Sequence, residues 1–133
     1  MLKQISDKNA LIHCITNPIS INDCANLVLA FGAKPIMAAH PQEVEEITKN
    51  AQALALNLGN FEDVRAQSMR LSARSAKEHG IPCILDMVGV ACSAVRLQFA
   101  REIVETSLFP PLRRFFFSRC VFCSISGSVL WCM

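Results

Sequence analysis

The stretch ALALNL, residues 53–58, decides the fold. It is short and apolar, with no polar alternation. It therefore reads as a strand buried on both faces, the situation of a parallel sheet covered by helices. Working outward, the flanking segments keep to that scheme. Upstream, His40-Pro41 opens a helix through about Lys49, with Pro41 suited to a first helical position and Glu43, Glu45 and Glu46 near the positive end of the helix dipole. Before it, Pro35-Ile36-Met37 reads as a short strand. Earlier still, Leu11–Ile15 is an apolar, β-branched strand, and Asn17-Pro18 punctuates its end. Ser20 then caps a helix with Ile21, Cys24, Ala25, Val28 and Leu29 on one face, and Gly32 stands where a helix end needs positive φ. Downstream, residues 62–79 form a long helix ended by Gly80, 81–87 a fourth strand, and Ser93 to about Glu105 a helix with Val95, Phe99 and Ile103 in register.

The order β-α-β-α-β-α-β-α predicts an α/β fold, a mostly parallel sheet with flanking helices and right-handed crossovers. Ligands in such sheets bind beyond the carboxyl ends of the strands. Four places therefore matter: residues 16–22, 37–40, 57–61 and 86–96.

Composition narrows the function. Of 133 residues, 52% are apolar and 18% charged, which excludes a disordered chain. The formal charge of +2 is too small to indicate nucleic acid. No run approaches the roughly 20 apolar residues that span a bilayer, and the opening MLKQISDKNA has no signal-peptide core. The seven cysteines, an odd number, are expected to be reduced thiols of a cytoplasmic protein.

All eleven acidic residues lie at or before Glu105, and beyond Thr106 the only charges are Arg113, Arg114 and Arg119. That last stretch has no helical period and holds five of the eight phenylalanines. The expected division is a first segment, 1–106, and an unrelated or frameshifted tail, 107–133. The lone Cys120-Val-Phe-Cys123 lacks the further ligands of a structural zinc site.

Several strand-end residues could carry chemistry. Asp86 ends an apolar strand, where a carboxylate meets a metal, a phosphate-bound cation or a substrate hydroxyl, or else caps the next turn. Gly89 follows it, but neither GxGxxG nor a P-loop is present. Arg96 either forks onto phosphate oxygens or lies on a solvated face. Asn17 and Asn22 either hydrogen-bond a small heterocycle or turn the backbone. Met37 lines an apolar pocket or fills the core. His13, inside its strand, reads as a satisfied core histidine; Cys14, Cys24 and Cys83 read as core residues.

Taken together, LIHCITNPISINDCANLVLAFGAKPIMA, HPQEVEEI, ALALNLGN and IPCILDMVGVACSAVR resemble, in order and with natural spacing, the first part of hydroxyethylthiazole kinases. The resemblance implies a partial, truncated ribokinase-like fold and a homotrimer with substrate sites between subunits. It implies ATP-dependent, Mg2+-assisted phosphorylation of 4-methyl-5-(2-hydroxyethyl)thiazole in thiamine salvage. Carried over residue by residue, it implies that Met37 and Asn17 contact the thiazole, Arg96 an ATP phosphate, and Asp86 the metal or phosphate side. Three positions depart from the family pattern: Met87 for a proline, Ala91 for a glycine and Asn60 for a threonine.

The glycine loop and adenine pocket of the family have no counterpart in the chain, so no catalytic residue is identified. Since phosphoryl transfer depends on positioning and charge neutralisation, the chain alone is expected to be inactive. The competing expectations are a non-catalytic fragment that binds or perturbs full-length kinase subunits, and a generic doubly wound ligand-binding domain.

Overall fold

The computed structural model describes residues 9–107, so the expectations for the last 26 residues lie outside the described part. Four parallel strands alternate with helices. β1 (Leu11–Ile15) leads to α1 (Ile21–Ala30), β2 (Lys34–Ile36) to α2 (Val44–Asn50), β3 (Ala53–Asn57) to α3 (Asp63–His79), and β4 (Cys83–Asp86) through a 3-10 turn (Val90–Cys92) to α4 (Ala94–Ser107). The sheet order is β2-β1-β3-β4, with every neighbouring pair parallel.

That order explains a difference from the sequence reading. From β1 the chain steps one way to β2, then back past β1 to β3 and onward. Right-handed crossovers consequently place α1 on one face and the following helices on the other. α2, α3 and α4 pack side by side, and α1 stands alone near β2. β3 is accordingly not buried on both faces. Leu54 and Leu56 are buried under the three-helix layer, whereas Ala53 and Ala55 are only half-buried. On β4, Leu85 is buried and Ile84 is 45% exposed for the same reason.

The core lies on the covered face, where Ile15, Val44, Leu54, Leu56 and Leu58 meet Met69, Ala73, Phe99 and Ile103. Burying each of these larger side chains contributes about 1.5–3 kcal/mol. α3 presents a face of small residues (Ala66, Ser72, Ala73, Ser75, Ala76), which lets α2 and α4 approach closely.

Helix ends follow local chemistry. Gly80 closes α3 at φ 71°, and the backbone N–H groups of Gly80 and Ile81 satisfy the last carbonyls. Gly32, at φ 78°, turns the chain into β2. α2 begins later than expected, at Val44, because residues 41–43 form a turn first. On α1 no residue is buried, and Ile21, Leu27 and Leu29 are exposed; the apolar face is present but little covers it in the described residues. On α4, Phe99 and Ile103 are buried while Val95 is exposed.

Candidate functional site

The reversal of strand order at β1 makes a crevice between the carboxyl ends of β1 and β3, where open α/β sheets place ligands. Three adjacent strand ends are joined there by side chains. Asn17 donates from Nδ2 to Asn57 Oδ1 at 3.2 Å, and Asn57 donates from Nδ2 to Asp86 Oδ2 at 3.0 Å. Asn57 Oδ1 also accepts the Gly59 backbone N–H at 2.6 Å. Asn17 Oδ1 accepts the N–H groups of Ile19 and Ser20, each at 3.0 Å, and the Ser20 hydroxyl at 3.2 Å. Every amide oxygen accepts and every amide nitrogen donates, so the line has one consistent orientation.

Two of the sequence candidates, Asn17 and Asp86, are thus brought together by a residue that sequence reading did not single out. Asn57 is the sole polar residue of the ALALNL strand and opens the strand exit 57–61, a place the sequence marked without giving this residue a role. Gly59 belongs to the same device. A Cβ there would lie 2.5 Å from Asn17 Nδ2 and 2.7 Å from Asn57 Oδ1, so a side chain at this position would force the asparagines apart.

Arg96 packs across the β3 and β4 exits. Its Nη1 donates to the carbonyls of Leu58 and Val88, and its guanidinium lies over the Phe61 ring, 5.7 Å from the centroid. Gly89, at φ 79°, leaves room for this side chain: a Cβ would sit 3.2 Å from Arg96 Cδ. No protein acceptor meets Arg96 Nε or Nη2 among the described residues.

Arg65, also unforeseen, is 6% exposed and donates from Nη2 to the Gly59 carbonyl at 2.7 Å. Its Nη1 is 3.9 Å from the Glu62 carboxylate. The pair borders a cleft of about 300 Å³ lined by Thr16, Pro18, Ile21, Ala39, Glu62, Val64 and Arg65. The lining is mostly apolar with one ion pair, a setting that suits a small molecule with a polar group.

Met37 follows β2 directly and is half-buried, apart from the main apolar cluster. It does not line this cleft, though Ala39 of the same loop does. Asn22 is exposed on the first turn of α1 and joins neither the asparagine line nor the cleft.

His13 is fully buried, and both ring nitrogens are satisfied: Nδ1 by the Thr48 hydroxyl at 2.8 Å, Nε2 by the Ala38 carbonyl at 2.9 Å. Burial lowers its pKa, opposed by the Ala38 carbonyl and by the charge of Glu43. Burial pushes the Cys14 thiol up to about 11, with Cys24 adding to the rise, and the Cys83 thiol up to about 12. Cys14 and Cys83 are therefore inert core residues, while Cys24 is half-buried. Among the described residues no three acidic, histidine or cysteine side chains converge as a metal cage, and no helix is long and apolar enough to cross a membrane.

The profile of the Hydroxyethylthiazole kinase family matches residues 2–113. The chain belongs to the hydroxyethylthiazole kinase family. It is 57% identical over 98 residues to hydroxyethylthiazole kinase 2 of Clostridium botulinum (strain 657 / Type Ba4), covering 74% of this chain and 37% of that protein. With hydroxyethylthiazole kinase of Finegoldia magna it shares 48% over 101 residues, covering 76% and 38%. The solved structure of a hydroxyethylthiazole kinase protein from Pyrococcus horikoshii OT3 superposes with a TM-score of 0.77 at 34% identity, covering 80% of this chain and 42% of that one. The chain thus spans about two fifths of the length of the family relatives it matches. The sheet and helices described above are the part it shares with the hydroxyethylthiazole kinase fold.

Proposed function

We propose that this chain carries the β1–β4 share of a site for ATP-dependent phosphorylation of 4-methyl-5-(2-hydroxyethyl)thiazole in thiamine salvage, a reading supported by relatives named hydroxyethylthiazole kinase. The observation that carries the reading is the Asn17–Asn57–Asp86 line at the sheet's crevice, beside an apolar cleft of about 300 Å³. In this reading the cleft and the loop bearing Met37 take the thiazole ring, and Asn17 fixes the loop after β1. Asp86 faces the phosphate side. Asn57 engages its Oδ2 and leaves Oδ1 without a protein donor among the described residues.

One carboxylate oxygen with no further protein ligands suits Mg2+, which keeps most of its waters and takes phosphate oxygens. When bound, that ion neutralises charge on the transferring phosphoryl group. Arg96 would reach an ATP phosphate through Nε and Nη2, since Nη1 is committed to the Leu58 and Val88 carbonyls. The assembly that goes with this reading is a homotrimer in the cytoplasm. The trimer is supported by exposed apolar side chains on and just after α1, Ile21 at the cleft and Leu27, Leu29 and Phe31 further along.

The test is a binding and turnover measurement on the purified chain. Saturation-transfer NMR is expected to detect the thiazole alcohol, while Mg2+ and ATP yield no phosphorylated product from this chain alone. Absence of alcohol binding at millimolar concentration would overturn the substrate assignment. Turnover that disappears in Arg96→Ala would support the kinase reading and overturn the expected inactivity. The same exposed apolar side chains favour a second reading, a non-catalytic segment that engages full-length kinase subunits. Co-purification with an intact relative at micromolar concentration checks it.

A further inference from the structure

The loop between β2 and α2, residues 37–40, carries Met37 and supplies Ala39 to the cleft wall. It belongs to no ladder or helix, and two consecutive carbonyls turn inward from it. The Ala38 carbonyl accepts from His13 Nε2 at 2.9 Å, and the Ala39 carbonyl from Ser68 Oγ at 2.7 Å. Both donors are wholly buried, one on β1 and one on α3.

A carbonyl can only accept, so His13 carries its proton on Nε2, and Nδ1 accepts from the Thr48 hydroxyl at 2.8 Å. The ring is fixed at both ends, by α2 on one side and the loop on the other. Ser68 Oγ also lies 3.0 Å from the Val64 carbonyl of its own helix, but its single proton favours the shorter contact with Ala39. Val64 itself lines the cleft. An apolar residue at either site would leave a loop carbonyl without its buried donor. Two buried polar groups on adjacent carbonyls of one short loop instead fix where that loop stands.

We propose that His13 and Ser68 are positioning residues for the ligand cleft, setting the place of Met37 and Ala39 through the Ala38 and Ala39 carbonyls. The inference rests on reading the cleft as the thiazole-alcohol site, and the test separates the two.

The full chain, labelled with 13C at methionine and alanine methyls, is titrated with 4-methyl-5-(2-hydroxyethyl)thiazole as wild type, Ser68→Ala, Ser68→Thr and His13→Gln. In Ser68→Ala the Met37 and Ala39 methyl signals are expected to move while that of Ala100, buried on α4, stays. Affinity for the alcohol falls about three- to tenfold, as for loss of one buried hydrogen bond. Ser68→Thr keeps the hydroxyl and restores both readouts, which loss of packing alone would not. His13→Gln moves the Ala38 methyl and weakens binding likewise. Unmoved Met37 and Ala39 signals in Ser68→Ala, or equal weakening in Ser68→Ala and Ser68→Thr, would overturn the proposal. If the wild type does not bind the alcohol but Ser68→Ala still moves the loop and Ser68→Thr restores it, positioning stands and the thiazole reading falls.

Discussion

Replacing Asn57 by alanine removes three hydrogen bonds from the centre of the site at once. Two are neutral, from Asn17 Nδ2 at 3.2 Å and the Gly59 N–H at 2.6 Å, and one runs to the Asp86 carboxylate at 3.0 Å. A neutral bond contributes about 0.5–1.5 kcal/mol net and a bond to a charged group about 1.5–3, which sets an upper range of about 2.5–6 kcal/mol. Asn57 is half-buried, so water re-pairs part of what is lost, and the expected cost is about 2 kcal/mol. With a urea slope of about 1–3 kcal/mol per molar, the unfolding midpoint falls by about 1 M. The assay is urea unfolding of the full chain followed by circular dichroism. A double-mutant cycle with Asp86→Ala isolates the bond between the two side chains. Residues in direct contact are expected to couple by about 1 kcal/mol. If Asn57→Ala and Asp86→Ala add within about 0.3 kcal/mol, the two are not joined and the site argument fails.

Three further outcomes are expected. Gly59→Ala places a Cβ 2.5 Å from Asn17 Nδ2 and should cost about 1–3 kcal/mol, and pairing it with Asn17→Ala should recover part of that cost in the same urea assay. His13 has a folded pKa lowered by burial, so the unfolded chain binds a proton that the folded one refuses. Stability should be full above about pH 6.5 and fall on acidification by up to about 1.4 kcal/mol per pH unit, down to the folded pKa. Urea midpoints at several pH values for wild type and His13→Gln check this, and equal slopes in the two would contradict it. With the Cys14 thiol near 11 and the Cys83 thiol near 12, both should resist alkylation in the native chain at pH 8, while exposed Cys92 reacts. Peptide mapping after iodoacetamide treatment reads the difference.

Much of the fold was legible because each element announces itself locally. Short apolar runs gave the four strands their places, Gly32 and Gly80 marked helix ends at positive φ, and Phe99 and Ile103 kept helical register. The family, too, could be read from ordered strand-end motifs. What misled was burial. ALALNL has no polar alternation, yet only Leu54, Leu56 and Leu58 are buried under the helical layer, and Ala53, Ala55 and Asn57 are half-buried. The residues alone do not say whether a strand's second face will be covered.

Of the site, sequence pointed to Asn17 and Asp86 and to the strand exit 57–61, but gave Asn57 and Gly59 no role of their own and passed over Arg65, because none of these makes a motif. Their importance is relational: Asn57 matters because β3 lies between β1 and β4, and Gly59 because two amides pass close to its Cα. Arg96 could be picked out as a cation at a helix start, but not that its Nη1 would close onto the Leu58 and Val88 carbonyls.

Sequence by itself therefore determined the alternation of strands and helices, the punctuation of their ends, and which strand ends carry polar groups. These depend on periodicity and backbone preference, which act over a few residues. Only the tertiary structure decided the order β2-β1-β3-β4, the face each helix covers, and the joining of Asn17, Asn57 and Asp86. Those outcomes depend on contacts between residues far apart in the sequence, 40 positions for Asn17 and Asn57 and 41 for the β1–β3 partners, made only once the crossovers have chosen their side of the sheet.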